Sequence, residues 1–116
     1  MKVRSFHFSK LNKVPEEMEI SLNEAMKGQR FLTAVQSENA SKGYLQVALF
    51  LGEDGLKNVE CRVFKTGSLT QFQDVAEKKC EGYDLIHATQ TYAQGNVFTI
   101  LYVKRKSENG NGKKRK

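Results

Sequence analysis

Two stretches decide the reading of this chain: Gly28-Gln29-Arg30-Phe31-Leu32-Thr33-Ala34-Val35-Gln36-Ser37 and Gly82-Tyr83-Asp84-Leu85-Ile86-His87-Ala88-Thr89-Gln90-Thr91. They lie 54 positions apart in a sequence of 116 residues. Each opens on a glycine, places apolar residues third and fourth after it, and closes on Ala-x-Gln-(Ser/Thr). Upstream, at the same offset, Met18 falls on Phe72, Leu22 on Ala76 and Met26 on Cys80. An apolar stripe at helical spacing therefore precedes each glycine. A self-match of this length indicates one supersecondary unit used twice.

The elements repeat in the same order. In the first unit Val3–Phe8 reads as a strand. Pro15-Glu16-Glu17 opens a helix, since proline suits a first turn and acids complement the helix dipole. Gly28 stops the helix, and strands Phe31–Ser37 and Tyr44–Leu51 follow around a polar turn. Gly52-Glu53-Asp54-Gly55 separates the units. In the second unit Val59, Cys61 and Val63 alternate with Glu60 and Arg62, a strand pattern with one buried face. Ser68 is placed as a helix N-cap, Gly82 as the stop, and Tyr83–Thr91 and Val97–Lys104 as strands around the Ala93–Asn96 turn. The expected fold class is α+β: a tandem βαββ repeat, mostly antiparallel sheet with two helices on one side. The units are residues 1–54 and 55–105, forming one body, with a flexible basic tail at 106–116. A ferredoxin-like βαββαβ sheet with extra strands is the alternative parse.

Glu81-Gly82-Tyr83-Asp84-Leu85 and Ile100-Leu101-Tyr102-Val103-Lys104-Arg105 carry a resemblance. The second half is similar to a family of small uncharacterised bacterial βαββ domains, in which a glycine–aromatic corner leads to a hairpin closing on Lys-Arg. The first half departs from that pattern with Gln29-Arg30-Phe31 after its glycine. The order of elements also resembles dodecin-like subunits, which assemble into flavin-binding shells, but no aromatic is placed as the flavin-stacking residue. The resemblance implies a fold and assigns no chemistry.

Charge is unevenly placed. The chain has 19 basic and 13 acidic residues, net +6. Residues 104–116 hold Lys104, Arg105, Lys106, Lys113, Lys114, Arg115 and Lys116 against Glu108, so the rest of the chain is electrically balanced. The stretch 107–112 has no apolar residue and reads as a tether ending in a basic cluster. No apolar run is long enough for a membrane helix, and Met1–Arg4 leads into alternating residues, unlike a signal peptide. Cys61 and Cys80 have no metal spacing and read as free thiols of a reducing compartment. A soluble, cytoplasmic protein without metal or cofactor is expected.

Each βαββ unit has one helix and two sheet faces. In the last strand Val97, Thr99, Leu101 and Val103 oppose Phe98, Ile100 and Tyr102, so both faces are apolar. Aligning the units assigns Phe6, Phe8, Tyr44, Phe50, Phe98, Ile100 and Tyr102 to a face turned away from the helices. Three uses compete: packing of sheet on sheet within one chain or in a homodimer or higher oligomer; a platform for nucleic-acid bases; an apolar ligand cleft. The neutral body weighs against the second.

Catalytic patterns are missing from the sequence. His7 and His87 alternate within strands, the serines sit in no nucleophile elbow, and no phosphate or dinucleotide loop is present. Gln36 and Gln90 form the one repeated polar pair, expected as symmetry mates that hydrogen bond across strands or share a cleft. The functional expectation is a small non-enzymatic binding or assembly protein, associated with nucleic acid through its tail. An oligomeric ligand-binding or sequestering protein, and a structural or inhibitory protein of phage or mobile-element type, are the alternatives.

Overall fold

The computed structural model describes residues 1–9 and 14–106. The elements are β1 (Lys2–Phe8), α1 (Val14–Met26), β2 (Phe31–Asn39), β3 (Tyr44–Leu51), β4 (Val59–Thr66), α2 (Leu69–Lys79), β5 (Tyr83–Ala93) and β6 (Asn96–Arg105). They form two three-stranded antiparallel sheets, ordered β1-β3-β2 and β4-β6-β5. The βαββ pattern occurs twice, and the single ferredoxin-like sheet does not form.

Local chemistry accounts for the boundaries. Ser68 caps α2, its Oγ accepting from the Gln71 backbone N–H, while Gln71 Oε1 accepts from Gly67 N–H. Gly28 and Gly82 have φ of +75° and +79°, the left-handed conformation that ends a helix without a steric penalty only at glycine. Gln94 and Gly95 both have positive φ, as a two-residue hairpin turn requires. The strand after each helix carries a β-bulge at the equivalent place, the pairing slipping between Phe31 and Thr33 and between Leu85 and His87. The extra residue turns Phe31 and Ala34, three apart, toward the same core.

The bulge and the registers define how the units correspond. The offset is 54 through β2 and β5. It falls to 52 in β3 and β6, because two residues join the second hairpin where four join the first. It is 58 between β1 and β4, where Lys2 faces Leu51 as Glu60 faces Val103. In the second unit the side facing its own helix carries Phe64, Leu101 and Val103, packed under Phe72, Val75 and Ala76 of α2 and Cys80 at its C-terminal cap. The corresponding side of the first sheet carries Phe8, Leu45, Val47, Leu49 and Leu51. It packs against the opposite side, the back, of the second sheet: Val59, Cys61, Val63, Phe98, Ile100 and Tyr102.

Met18, Leu22 and Met26 of α1 enter that same core. β2 runs beside β5 and α1 lies along β4, so the helix fills the side where β1 and β4 would otherwise leave the core open. The two helices consequently lie on opposite faces of the second sheet rather than in one layer. The expected common aromatic face is also divided. Phe6 and Phe8 pair with Val47 and Leu45 on the helix side: their face corresponds to that of Glu60, Arg62 and Phe64 in β4, which lies under α2 and not away from the helices. Tyr44 and Phe50 lie on the other side of the first sheet, while Phe98, Ile100 and Tyr102 are fully in the core.

A Cβ at Gly28 or Gly82 would point into open space, so only the backbone opposes a side chain there. Gly28→Val and Gly82→Val should each lower unfolding free energy by about 1 kcal/mol or more, read from urea melts. A Cβ at Gly55 would stand 2.5 Å from the Phe31 carbonyl oxygen, so Gly55→Ala should cost about 1–3 kcal/mol by crowding alone.

Candidate functional site

Hydrogen bonds stitch the two units at the seam between β2 and β5. Gln36 Nε2 donates to the Phe98 carbonyl at 3.1 Å and Gln36 Oε1 accepts from Thr89 Oγ1 at 2.7 Å. His87 Nε2 lies 2.9 Å from the Ala34 carbonyl oxygen, as a donating tautomer would be. Phe31 stacks on Tyr102 with centroids 4.7 Å apart. Gln36 therefore bonds across the seam, whereas Gln90 donates to Thr99 Oγ1 within its own sheet. The expected Gln36–Gln90 pairing does not occur, since the units stack in the same sense and are not related by a two-fold axis.

A second set of bonds closes the edge of β4. The Asn23 side chain accepts from Cys61 N–H at 2.7 Å and donates to Cys61 C=O at 3.2 Å, and Glu19 Oε1 accepts from Val63 N–H at 2.8 Å. One helical turn separates Asn23 from Glu19, which matches the spacing of alternate residues on a strand edge closely enough for both to bond. These side chains replace the missing neighbouring strand. Burial, reinforced by the Glu19 carboxylate, pushes the Cys61 thiol up, which keeps it a neutral apolar group. Burial and the neighbouring Cys61 likewise push the Tyr102 phenol up. The Tyr102 hydroxyl makes no well-formed hydrogen bond among the described residues; the Thr89 hydroxyl beside it donates to Gln36 and offers Tyr102 only a weak acceptor.

Basic side chains gather at one end. A shallow groove of about 520 Å³ is lined by Asn23, Lys27, Arg30, Lys57 and Glu60 among others. Lys104 Nζ donates to the Lys57 carbonyl at 2.8 Å, so the end of β6 adjoins this groove. Arg105 lies over the Tyr83 ring and donates to its hydroxyl. Lys106 is exposed. Lys113, Lys114, Arg115 and Lys116 lie outside the described residues.

Among the described residues no layer lies over the back of the first sheet. Val3 and Val35 are 48% and 55% exposed, and Tyr44, Ala48 and Phe50 are half-buried beside them. His7 and Tyr44 meet at a tilt there, 5.0 Å between centroids. Of the seven residues assigned from sequence to an uncovered face, only Tyr44 and Phe50 are on this one. Val3 and Val35 belong with them and have no place in that assignment; Ala48 alternates with Tyr44 and Phe50 and shares their face. The alternation Thr33, Val35, Ser37 shows Val35 only once the bulge at Leu32 is known. Glu19 and Asn23 were also missed, because polar residues on a helix read as solvated.

No group of His, Cys, Asp and Glu suited to a metal ion occurs among the described residues. No helix among them is long and apolar enough to cross a membrane. Comparison with protein-family models, with curated proteins and with solved structures finds no match to this chain.

The edge clamp yields a contrast between two isosteric changes. Asn23→Leu keeps the volume but strands both polar groups of Cys61, and should cost about 1–3 kcal/mol. Tyr102→Phe removes a buried hydroxyl with at most a weak contact to Thr89, and should leave stability within about 1 kcal/mol of the parent or raise it. Chemical denaturation of the two variants side by side measures both.

Proposed function

We propose that the chain is a non-enzymatic assembly protein whose contact surface is the back of its first sheet. One observation carries this reading. The helix side of the first sheet and the back of the second cover one another, and α2 covers the part of the second sheet's helix side that bears Phe64, Leu101 and Val103. The remaining sheet face is open, with Val3 and Val35 about half exposed beside Phe50 and Ala48. An exposed apolar cluster of this kind, bordered here by uncharged polar residues such as Ser5, Thr33, Ser37 and Gln46, marks an interaction site on a small domain. Its strand positions carry no Lys, Arg, Asp or Glu, so a charged partner would find no complement there. The free Cys61 and Cys80 suit a reducing compartment such as the cytoplasm.

If the face is an assembly surface, the weight-average mass should rise with concentration in sedimentation equilibrium. Val35→Lys should then sediment as a monomer while keeping the parent's circular dichroism. A parent that stays monomeric up to millimolar concentration would end this reading.

The basic end favours a second, compatible activity: contact with nucleic acid through the tail. The supporting observation is that Lys104 adjoins the groove bearing Lys27, Arg30 and Lys57, so residues 107–116 follow directly from a basic surface. Neutralising about four phosphates with Lys113–Lys116 gives a logarithmic salt slope of roughly −4 on duplex DNA. Removing residues 107–116 should abolish sequence-independent binding with the body still folded. Salt-insensitive binding that survives the deletion would exclude the tail as the contact.

A further inference from the structure

The core interface inside the chain is made of two complementary surfaces, and the repeat supplies each of them twice. The first unit's helix side, with Phe31, Ala34 and Gln36, receives the back of the second unit. The equivalents of those residues are Leu85, Ala88 and Gln90. They lie on the helix side of β5, beyond the strip that α2 covers. Leu85 is 53% exposed and Tyr92, further along that side of the strand, is 67% exposed. At the other end, the open back of the first sheet has Val3, Val35, Ala48 and Phe50 where the buried back of the second has Cys61, Thr89, Ile100 and Tyr102. One copy of the interface is closed within the chain, and one half of a second copy is left open at each end.

We infer that the chain associates head to tail, the back of the first sheet in one copy docking on the helix side of β5 in the next. This rests on the assembly reading above and names its partner: a second copy of this chain. The intramolecular interface is the template for it, and part of its polar set recurs, although Val35 in the place of Thr89 has no hydroxyl to donate to Gln90. β1 is an edge strand like β4, and Val3 and Ser5 hold the places of Cys61 and Val63. Gln73 and Glu77 of α2 hold the places of Glu19 and Asn23 and are exposed. In the next copy Gln73 and Glu77 would accept from the Ser5 and Val3 N–H groups as Glu19 and Asn23 accept from Val63 and Cys61, while the donation of Asn23 to the Cys61 carbonyl has no counterpart from a carboxylate. Gln90 would reach across the new seam as Gln36 does across the internal one. Thr33, exposed at the place of His87, has a hydroxyl to donate in its stead. Ala48 stands for the larger Ile100, so the contact is smaller than the internal one and reversible.

A heterologous contact of this kind closes into a ring or continues as an open series, and its two surfaces can be disabled separately. Val35→Lys blocks one surface and Leu85→Lys the other; both side chains are half exposed, so each variant should fold. Under reducing conditions each variant alone should be monomeric by sedimentation velocity. Their equimolar mixture should form a one-to-one dimer through the one intact pair of surfaces and go no further. If Val35→Lys is monomeric while Leu85→Lys associates like the parent, the contact is back to back; the head-to-tail inference then fails and the assembly reading stands. A mixture without dimer also overturns the inference. A parent chain that is monomeric throughout overturns both.

Discussion

A three-stranded sheet has two broad faces, and a βαββ unit supplies one helix to cover them. Everything in this molecule follows from that mismatch. Two units placed side by side would double the uncovered surface. Stacked in the same sense, the back of one unit rests on the helix side of the other, and one of the two bare faces disappears. The core that results holds Phe31, Tyr102, Phe98 and Ile100 between the sheets, each contributing roughly 1.5–3 kcal/mol by leaving water. The remaining bare face is the geometric remainder of an arrangement that repeats in one direction.

The stacking also decides what each helix does. α2 rests on its own sheet as an outer layer, and none of its residues is fully buried. α1, though equivalent in sequence position, is drawn into the interior because sheet lies on both sides of it. Its Met18 and Leu22 are wholly inaccessible to solvent. Its polar residues then have to face a strand edge, and Asn23 and Glu19 do so by satisfying backbone groups that no strand reaches. Two copies of one motif thus come to have different burial and different hydrogen bonding through context alone.

The sequence was a good guide to what is local. Gly28 and Gly82 end helices, Ser68 caps one, and alternation marked Val59, Cys61 and Val63 in β4 and the two apolar faces of β6, because each depends on residues a few positions apart; the burial of Phe64, under α2, and of Thr66 was not in that pattern. It was a poor guide to which face meets which. The assignment of Phe6 and Phe8 failed because the face of β4 to which theirs corresponds, bearing Glu60, Arg62 and Phe64, lies under α2, and two charged residues among its three give it the pattern of a solvent face. The bulges at Leu32 and Ile86 break the period of two, so Val35 could not be placed from alternation. The pairing expected of Gln36 and Gln90 presumed a two-fold axis, whereas sequence repetition is equally consistent with translation. Asn23 and Glu19 carried no signal at all, since a side chain that bonds to a backbone edge needs only to be polar and correctly spaced.

The order in which the chain is made has a bearing on how it reaches this state. α1 belongs to the first half, but the surface that buries it is β4 together with β6, the final strand. A nascent chain that has completed Leu51 holds a sheet and a helix whose apolar sides have no lasting cover. About fifty further residues must be translated before Tyr102 can meet Phe31. At roughly 5–20 residues per second that interval is several seconds. For that time the first unit exposes the side on which its own second unit will settle, and any other emerging copy on the same message presents the same complementary back.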